Sequence, residues 1–262
     1  MNAGTYISLF TNWAEPVMNS VWLGTRLNEW NDNMFAEAYD EVCDLKFHGA
    51  SLIHKTHPAF RSPDNVVESG VGMWHEKIYH FKPEGEPSSG GDEIQSEFFV
   101  NLEDLGDAMN TLISLKHIFA DYVQISEIRP VAKSNIILQP AYGKNVVGIH
   151  FTWKKDFPNV MEAVEVIKIA LRVYKYRVHW GKYFGHLEKK YINRIYGTEI
   201  AQIKALHESS GVLGPSKFSS CFVDRLLFDA NKKEDFKCGF ENDLEKKWHQ
   251  VFGEDLTQAD LE

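Results

Sequence analysis

Hydrophobic and polar residues alternate with a period of two in several short stretches of this chain. Such alternation is typical of β-strands that have one buried face. β-Branched and aromatic residues, which favour strands, are frequent in these stretches. The stretches that show this alternation or a strand-favouring composition are 5–11, 20–27, 93–100, 122–129, 134–138, 146–153 and 176–180. We therefore predict a strand in each of them.

Two further stretches have the spacing of amphipathic helices. Asn101 stands where it can cap the first helix, and Pro158 opens the second, at about 158–174. Their apolar stripes are Leu105, Ala108, Leu112, Leu115 and Phe119, and Val160, Val164, Ile167, Leu171 and Tyr174. Across 93–182 the order of elements is β-α-β-β-β-α-β. This order predicts an α+β fold, an antiparallel β-sheet with helices packed on one face.

The pattern changes near residue 185, where it becomes helical and polar. A stretch at 211–216 that contains Gly and Pro interrupts it, and the spacing of Leu244, Trp248 and Val251 predicts a tail helix. We expect one domain at 1–185, with long loops at 48–92, and a mainly helical C-terminal extension at 186–262. The extension is either a separate subdomain or part of the first domain, and the sequence does not indicate its role.

The composition is that of a globular protein, with 44% hydrophobic and 25% charged residues. A net charge of −9 argues against a nucleic-acid-binding protein, because affinity for phosphates depends on clustered Lys and Arg. The cysteines form neither a disulfide framework nor a zinc-binding pattern, which favours a reducing compartment; they are Cys43, Cys221 and Cys238. We find no apolar run of about 18 residues and no signal-peptide pattern. The sequence therefore predicts a cytoplasmic protein without a transmembrane segment.

Strand alternation also groups the residues that could carry chemistry. In 146–153 the apolar side chains alternate with His150 and Thr152, which therefore share the opposite face. Glu127 and Arg129 share a face of 122–129 by the same rule. A carboxylate, a guanidinium, an imidazole and a hydroxyl on adjacent strands suit a polyhydroxylated ligand, since each ligand hydroxyl needs both a donor and an acceptor.

Simpler interpretations exist for each of these residues. A Glu and an Arg two positions apart on a strand are often an exposed ion pair, and HWGK at 179–182 could be an ordinary strand end. A metal hydrolase built on His54, His57, His75 and His80 is a weaker alternative, because Pro58 argues against a helix there and no carboxylate stands at a ligand spacing. We expect no metal site. Nucleophile-elbow, P-loop and dinucleotide-binding glycine motifs are absent from the sequence.

Several segments closely resemble the alditol (xylitol) oxidases of the aldonolactone oxidase group of flavoproteins. They are GMWHEKIYHF (72–81), PSSGGDEIQSEFFV (87–100), VQISEIRPVAKSNIILQPAYGKNVVGIHFTWKK (123–155) and YRVHWGK (176–182), with YISLFTNW and VWLGTR near the start. The resemblance spans roughly 5–185. It implies a substrate-binding cap domain of an FAD-dependent enzyme that oxidises the primary alcohol of alditols such as xylitol and sorbitol, or a related sugar lactone, with O2 as acceptor.

The resemblance also implies roles for individual residues. Glu127 and Arg129 match the acid–base pair of the SEIR motif, expected to hold the reacting hydroxyl and stabilise developing negative charge. His150 and Thr152 match substrate-binding positions of the HFTW strand. Lys182 matches the lysine of HWGK, expected to be catalytic and to lie near the flavin. Whether His150 or Glu127 accepts the proton stays open.

The chain also departs from the family pattern. The Gly-rich stretch of the FAD-binding domain that precedes the cap in this family is absent, and Val178 stands where a proline usually precedes HWGK. We therefore expect FAD to be held mainly by a separate domain, in cis or in trans, and little or no redox turnover by this chain alone. The alternative is a non-catalytic polyol- or sugar-binding module that has lost its flavin partner.

Overall fold

The computed structural model describes residues 6–16, 18–24, 26, 72–74 and 92–210. Within this part of the chain, six strands form one sheet in the order β2-β1-β4-β5-β3-β6, and every neighbouring pair is antiparallel. The strands are β1 (Tyr6–Thr11), β2 (Ser20–Gly24), β3 (Glu93–Asn101), β4 (Val123–Val131), β5 (Val146–Lys154) and β6 (Arg177–Val178). The predicted α+β class with an antiparallel sheet is confirmed.

The described helices are α1 (Leu105–Phe119), α2 (Phe157–Leu171) and α3 (Lys189–Ser210). α1 and α2 pack against each other and against β3, and the chain enters α1 through a 3-10 turn at Leu102–Asp104. The Asn101 side chain does not cap the backbone as predicted, because its amide donates to the Asp104 carboxylate at 2.7 Å. Pro158 lies in the first turn of α2, where its missing N–H costs no helical hydrogen bond.

A stack of aromatic rings forms the core on the helix-covered face of the sheet. Phe151 stacks on Trp153 with centroids 4.9 Å apart and on Trp13 at 5.8 Å, and the Phe119 ring of α1 meets it edge-on. These rings are almost fully buried, as is Ile149 on the same strand. The predicted alternation of β5 is therefore confirmed on its apolar side.

Two buried serines on this face bind the indole groups of the stack. The Trp13 indole N–H donates to Ser126 Oγ at 2.7 Å, and the Trp153 indole N–H donates to Ser96 Oγ at 3.1 Å. Each serine directly precedes a glutamate. Because adjacent residues of a strand face opposite sides of the sheet, each of these glutamates lies on the other face. The serines thus satisfy polar atoms that the aromatic core would otherwise leave without partners.

Ser126→Ala is expected to lower the free energy of unfolding by about 1–3 kcal/mol, because the buried Trp13 N–H loses its acceptor. Urea unfolding followed by tryptophan fluorescence measures this change. Ser114→Ala, at an exposed position of α1, is the matched control and is expected to change the value by less than about 0.5 kcal/mol. Equal effects of the two substitutions would show that the indole hydrogen bond contributes no stability.

Two predicted strands differ from the structure. Residues 134–138 are not a strand: consecutive turns follow Ser134, with Gln139 N–H donating to the Ile136 carbonyl and Leu138 at φ 66°. The β-rich composition of this stretch is overridden by the turns that lead to Pro140. In 176–180, strand pairing is limited to Arg177–Val178, because the chain turns immediately afterwards.

The chain divides into two compact units, one of 1–134 with 143–184 and one of 135–142 with 185–262. α3 belongs to the second unit and buries one stripe of residues, namely Tyr191, Ile192, Tyr196, Glu199 and Ile200. The predicted loops at 48–92 lie almost wholly outside the described residues, as do the three cysteines, the interruption at 211–216 and the tail helix. Of the helices described, none is long and apolar enough to cross a membrane.

Candidate functional site

Polar side chains lie on the sheet face opposite the aromatic stack, across three neighbouring strands. His150 of β5 is directly opposite Glu97 of β3 on one side and Glu127 of β4 on the other. Cross-strand partners project from the same face of a sheet. Two carboxylates therefore flank one imidazole in a single row, and both glutamates are buried, each 4% exposed.

Glu97 is the centre of the charged groups in this row. Its Oε1 accepts from Arg129 Nη2 at 2.8 Å, and its Oε2 accepts from Lys182 Nζ at 2.6 Å. Each carboxylate oxygen is thus occupied by a different cation. The three side chains form a connected ion-pair network in which geometry is fixed by charge-assisted hydrogen bonds.

Arg129 links Glu97 to the second carboxylate. While its Nη2 binds Glu97, its Nη1 lies 3.5 Å from Glu127 Oε2. Glu127 Oε1 accepts from the Ser8 hydroxyl at 2.6 Å, and that hydroxyl is 3.0 Å from the hydroxyl of Tyr6. A planar guanidinium can bridge two carboxylates in this way because its N–H groups point in fixed, divergent directions.

Lys182 reaches Glu97 because the chain bulges out beside β3. The His179 N–H donates to the Glu97 carbonyl at 3.0 Å, and backbone hydrogen bonding to β3 resumes at Tyr183, whose N–H donates to the Gln95 carbonyl at 2.9 Å. Between them Lys182 N–H donates to the His179 carbonyl, closing a turn. The HWGK motif is therefore a turn that returns the lysine side chain to the sheet.

Gly148 leaves the space that the Glu97 carboxylate fills. A Cβ on Gly148 would lie 2.7 Å from Glu97 Oε1, closer than Cβ atoms approach other groups, and 3.0 Å from Phe99 Cε1, which is a tight contact. Gly148 faces Phe99 on one neighbouring strand and Arg129 on the other. A glycine inside a strand often marks a position where another group approaches the backbone closely.

The surroundings of Glu97 and His150 fix their charges. Burial alone would raise the pKa of Glu97, but attraction to Arg129 and Lys182 outweighs it and lowers that pKa to about 2. Burial, assisted by the positive charge of Lys182, lowers the pKa of His150 to about 3. At neutral pH Glu97 is therefore an anion and His150 a neutral imidazole. The buried Nε2 of His150 has no hydrogen-bond partner among the described residues.

His150→Gln is expected to remove a pH dependence of stability. A histidine with a lowered folded-state pKa takes up its proton only in the unfolded chain, so it lowers stability as pH falls below about 6.5 until about 3. From about pH 7 to about pH 5, the wild type should lose about 2 kcal/mol more unfolding free energy than the variant. Urea unfolding at the two pH values measures this difference.

His117→Gln, at an exposed position of α1, is the matched control for this titration. The difference between this variant and the wild type should change by less than about 0.5 kcal/mol over the same pH range. A His150→Gln variant with the same pH dependence as the wild type would contradict a neutral, buried imidazole.

The structure brings together four of the residues singled out from the sequence. Glu127, Arg129, His150 and Lys182 all lie around Glu97, and Thr152 lies on the same face, opposite Gln95. Glu97 itself was not predicted. Its signal was a charged residue inside the aromatic strand EIQSEFFV, in the same Ser-Glu pair that precedes Ile128 in SEIR. Strand alternation applied to β3 would have placed it on the polar face.

The histidines of the metal-hydrolase alternative, His54, His57, His75 and His80, lie outside the described residues. Within the ranges that the structure describes, no group of three or more His, Cys, Asp or Glu side chains could hold a metal ion. The described side chains form an ion-pair network around Glu97, with the His150 imidazole on the neighbouring strand.

Comparison with known proteins shows a similarity that extends over most of the chain. The chain is 33% identical over 233 residues to an alditol oxidase from Streptomyces sp. (strain IKD472 / FERM P-14339). The match covers 86% of this chain and 51% of the relative, so the chain spans about half the length of the curated protein it matches. No protein-family model matches the chain.

Proposed function

We propose that this chain, a homologue of alditol oxidase, supplies the substrate-binding surface of an FAD-dependent oxidoreductase that oxidises the primary hydroxyl of an alditol. The observation that supports this most is the row of Glu97, His150 and Glu127, bridged by Arg129, on one face of the sheet. Similarity to an alditol oxidase supports the proposed reaction class, and the polar row supports the position that we propose for the alditol.

The polar row suits the end of a polyol chain. A hydroxyl group both donates and accepts, so it needs an acceptor and a donor within reach. Carboxylate oxygens of Glu127 offer acceptor positions, and so does Nε2 of His150, which has no partner in the part of the chain that the structure describes. An ammonium group has three N–H donors, and Glu97 takes one of those of Lys182. A polyol hydroxyl placed here would supply a hydrogen-bond partner for Nε2 of His150.

Oxidation of a primary alcohol removes a hydride from carbon and a proton from oxygen. FAD, when bound, accepts the hydride. In our proposal Arg129 stabilises the negative charge that develops on the alcohol oxygen, because a guanidinium does not lose its proton. Lys182, which binds the same carboxylate as Arg129, would add a second positive charge and would lie near the flavin.

We assign acceptance of the hydroxyl proton to Glu127. Glu97 is a poor base, since its pKa is lowered to about 2 and both its oxygens bind cations. His150 is a poor base as well, since burial lowers its pKa to about 3. We therefore propose that His150 orients the substrate by a hydrogen bond at Nε2, with Thr152 holding a neighbouring hydroxyl.

The described residues fit the reacting end of a flavin site rather than its phosphate end. Nε2 of His150 and the Lys182 ammonium offer hydrogen-bonding groups for an alcohol and for the edge of a flavin ring. The sequence has no glycine motif for a pyrophosphate. We propose that another domain, in cis or in trans, holds most of FAD, and that the alditol could be replaced by a sugar lactone.

Isothermal titration of the purified chain with xylitol tests this proposal. Xylitol is expected to bind, and Glu127→Gln should weaken binding at least about tenfold by removing a charged acceptor. Asp92→Asn removes one charge at an exposed site, 84% accessible, and should leave affinity unchanged. If xylitol binds neither to the chain alone nor to the chain with added FAD, the proposal is overturned.

An absorbance spectrum separates the enzyme from the non-catalytic binding module. Our proposal predicts that xylitol bleaches the flavin absorbance band at about 450 nm only when a flavin-binding domain is added to the purified chain together with FAD. Xylitol binding without bleaching, both with and without the flavin-binding domain, would favour the non-catalytic binding module.

A further inference from the structure

We propose that Glu97 determines substrate specificity: by pairing with both Arg129 and Lys182 it makes the site electrically neutral, so that the site selects uncharged polyols over sugar acids. This inference rests on the proposed polyol-binding function. It concerns a residue outside the SEIR, HFTW and HWGK motifs, and its basis is the geometry around a single carboxylate.

Charge balance around Glu97 is the first part of the argument. Glu97 pairs with Arg129 at 2.8 Å and with Lys182 at 2.6 Å, and Arg129 also lies 3.5 Å from Glu127. Among the described groups in this network, two carboxylates therefore face two cations. The imidazole of His150 adds no charge at neutral pH, because burial lowers its pKa.

Occupancy of the cations is the second part. Both oxygens of Glu97 are held at 2.8 Å or less by the two cations, and the carboxylate is fixed above Gly148, where no Cβ competes for the space. Arg129 and Lys182 would otherwise form an ideal pair of ligands for a carboxylate. Glu97 is thus a built-in carboxylate in the position that the acid group of an aldonate would take.

Discrimination between ligands follows from this arrangement. A neutral hydroxyl needs only the remaining hydrogen-bonding positions of the site. The carboxylate of a sugar acid would have to displace Glu97 from its cations, and it would also be repelled by Glu97 and Glu127. Both costs are large in a half-buried site, where water screens charges less than in bulk solution.

Glu97→Gln tests the inference with two ligands of matched size, xylitol and its acid xylonate. Affinities are measured by isothermal titration with the full chain at neutral pH and low salt. The wild type should prefer xylitol. In the variant, the ratio of xylonate to xylitol affinity should rise by at least about tenfold, because one unpaired positive charge is left in the site.

Glu93→Gln is the matched control, since it removes the same charge from the same strand. Glu93 lies four positions from Glu97 on β3, roughly 13 Å away along a strand. The control should leave the affinity ratio near its wild-type value. An equal rise in both variants would overturn the inference, because a general change in net charge would then explain the result.

Lys182→Met provides a mirror-image test that does not depend on the folding of Glu97→Gln. This variant leaves one unpaired negative charge, so it should favour glucamine over its neutral counterpart sorbitol by at least about tenfold relative to the wild type. The double variant Glu97→Gln/Lys182→Met restores neutrality. It should return both affinity ratios to near their wild-type values, and failure of both single variants to change them would overturn the inference.

The outcomes separate this inference from the proposed function. If the wild type binds xylitol but no single variant gains its charged ligand, the function stands and the role of Glu97 is wrong. If the wild type binds no polyol while Glu97→Gln gains xylonate, polyol binding is wrong and the charge argument stands. If the wild type binds no polyol and Glu97→Gln does not gain xylonate binding, both the proposed function and the role of Glu97 are wrong.

Discussion

Gly148→Ala is expected to disrupt the polar row of Glu97, His150 and Glu127. The new Cβ would lie 2.7 Å from Glu97 Oε1, and that oxygen cannot move away without leaving Arg129. Phe99 blocks the other side, with Cε1 at 3.0 Å. Overpacking of this kind costs about 1–3 kcal/mol, only partly offset by the lower entropy of the unfolded alanine chain.

The consequences for binding should exceed those for stability. Once the Glu97 carboxylate shifts, the positions of Arg129 and Lys182 change together, because both bind it. We expect xylitol affinity to fall by at least about tenfold. Urea unfolding and isothermal titration on the same preparation measure the two effects.

Gly106→Ala is the matched control for this substitution. Gly106 lies in the first turn of α1, and a Cβ there would meet no atom within 4 Å. Alanine favours helix over glycine, so this change should raise stability by up to about 1 kcal/mol and leave xylitol affinity unaltered. A Gly148→Ala variant as stable as Gly106→Ala, with intact binding, would rule out close packing of Glu97 on Gly148.

Strand alternation carried most of what could be predicted about the site. A period of two is a local property, so Glu127 and Arg129 on β4 and His150 and Thr152 on β5 could be assigned to faces from the sequence alone. We placed these two strands next to each other, and the structure pairs them because the strand predicted between them, at 134–138, is a turn. The hydrogen-bond register, which sets Glu127 directly opposite His150, could not be read from either strand.

Glu97 illustrates what local reasoning omits. Its strand, β3, precedes β4 in the chain but lies on the far side of β5 in the sheet. Sequence neighbours therefore gave no reason to group Glu97 with His150. The order of strands in the sheet is decided by packing of the helices and by cross-strand pairing, both of which are non-local. Lys182 was found only through resemblance, because its position depends on a bulge beside β3.

Local composition also misled in one place. The stretch 134–138 contains Ile136 and Ile137 and looks like a strand, yet Ile136 is 69% exposed and Leu138 has a left-handed backbone. β-Branched residues report a preference for pleated, half-buried surfaces, and no such surface exists at this turn. Hydrophobic content without strict alternation is therefore weak support for a strand.

Arg129→Met should cause the largest loss of stability among the residues of the site. Glu97 and Glu127 are only 4% and 6% exposed at their side chains, and both would lose a shared cation. Removing one partner of a buried ion pair costs about 3–5 kcal/mol, and partial exposure of Arg129 reduces this to about 2–3 kcal/mol. Urea unfolding at neutral pH measures the loss.

Two further variants separate charge from geometry. Arg129→Lys keeps the positive charge but presents one ammonium in place of two divergent N–H groups, so it should recover part of the stability while xylitol affinity stays at least about tenfold weaker. Lys155→Met breaks an ion pair with Asp92 in which both side chains are exposed, by 66% and 84%, and should change stability by less than about 0.5 kcal/mol. An Arg129→Lys variant with wild-type xylitol affinity would show that charge alone suffices, and the bridge between the two carboxylates would then have no part in binding.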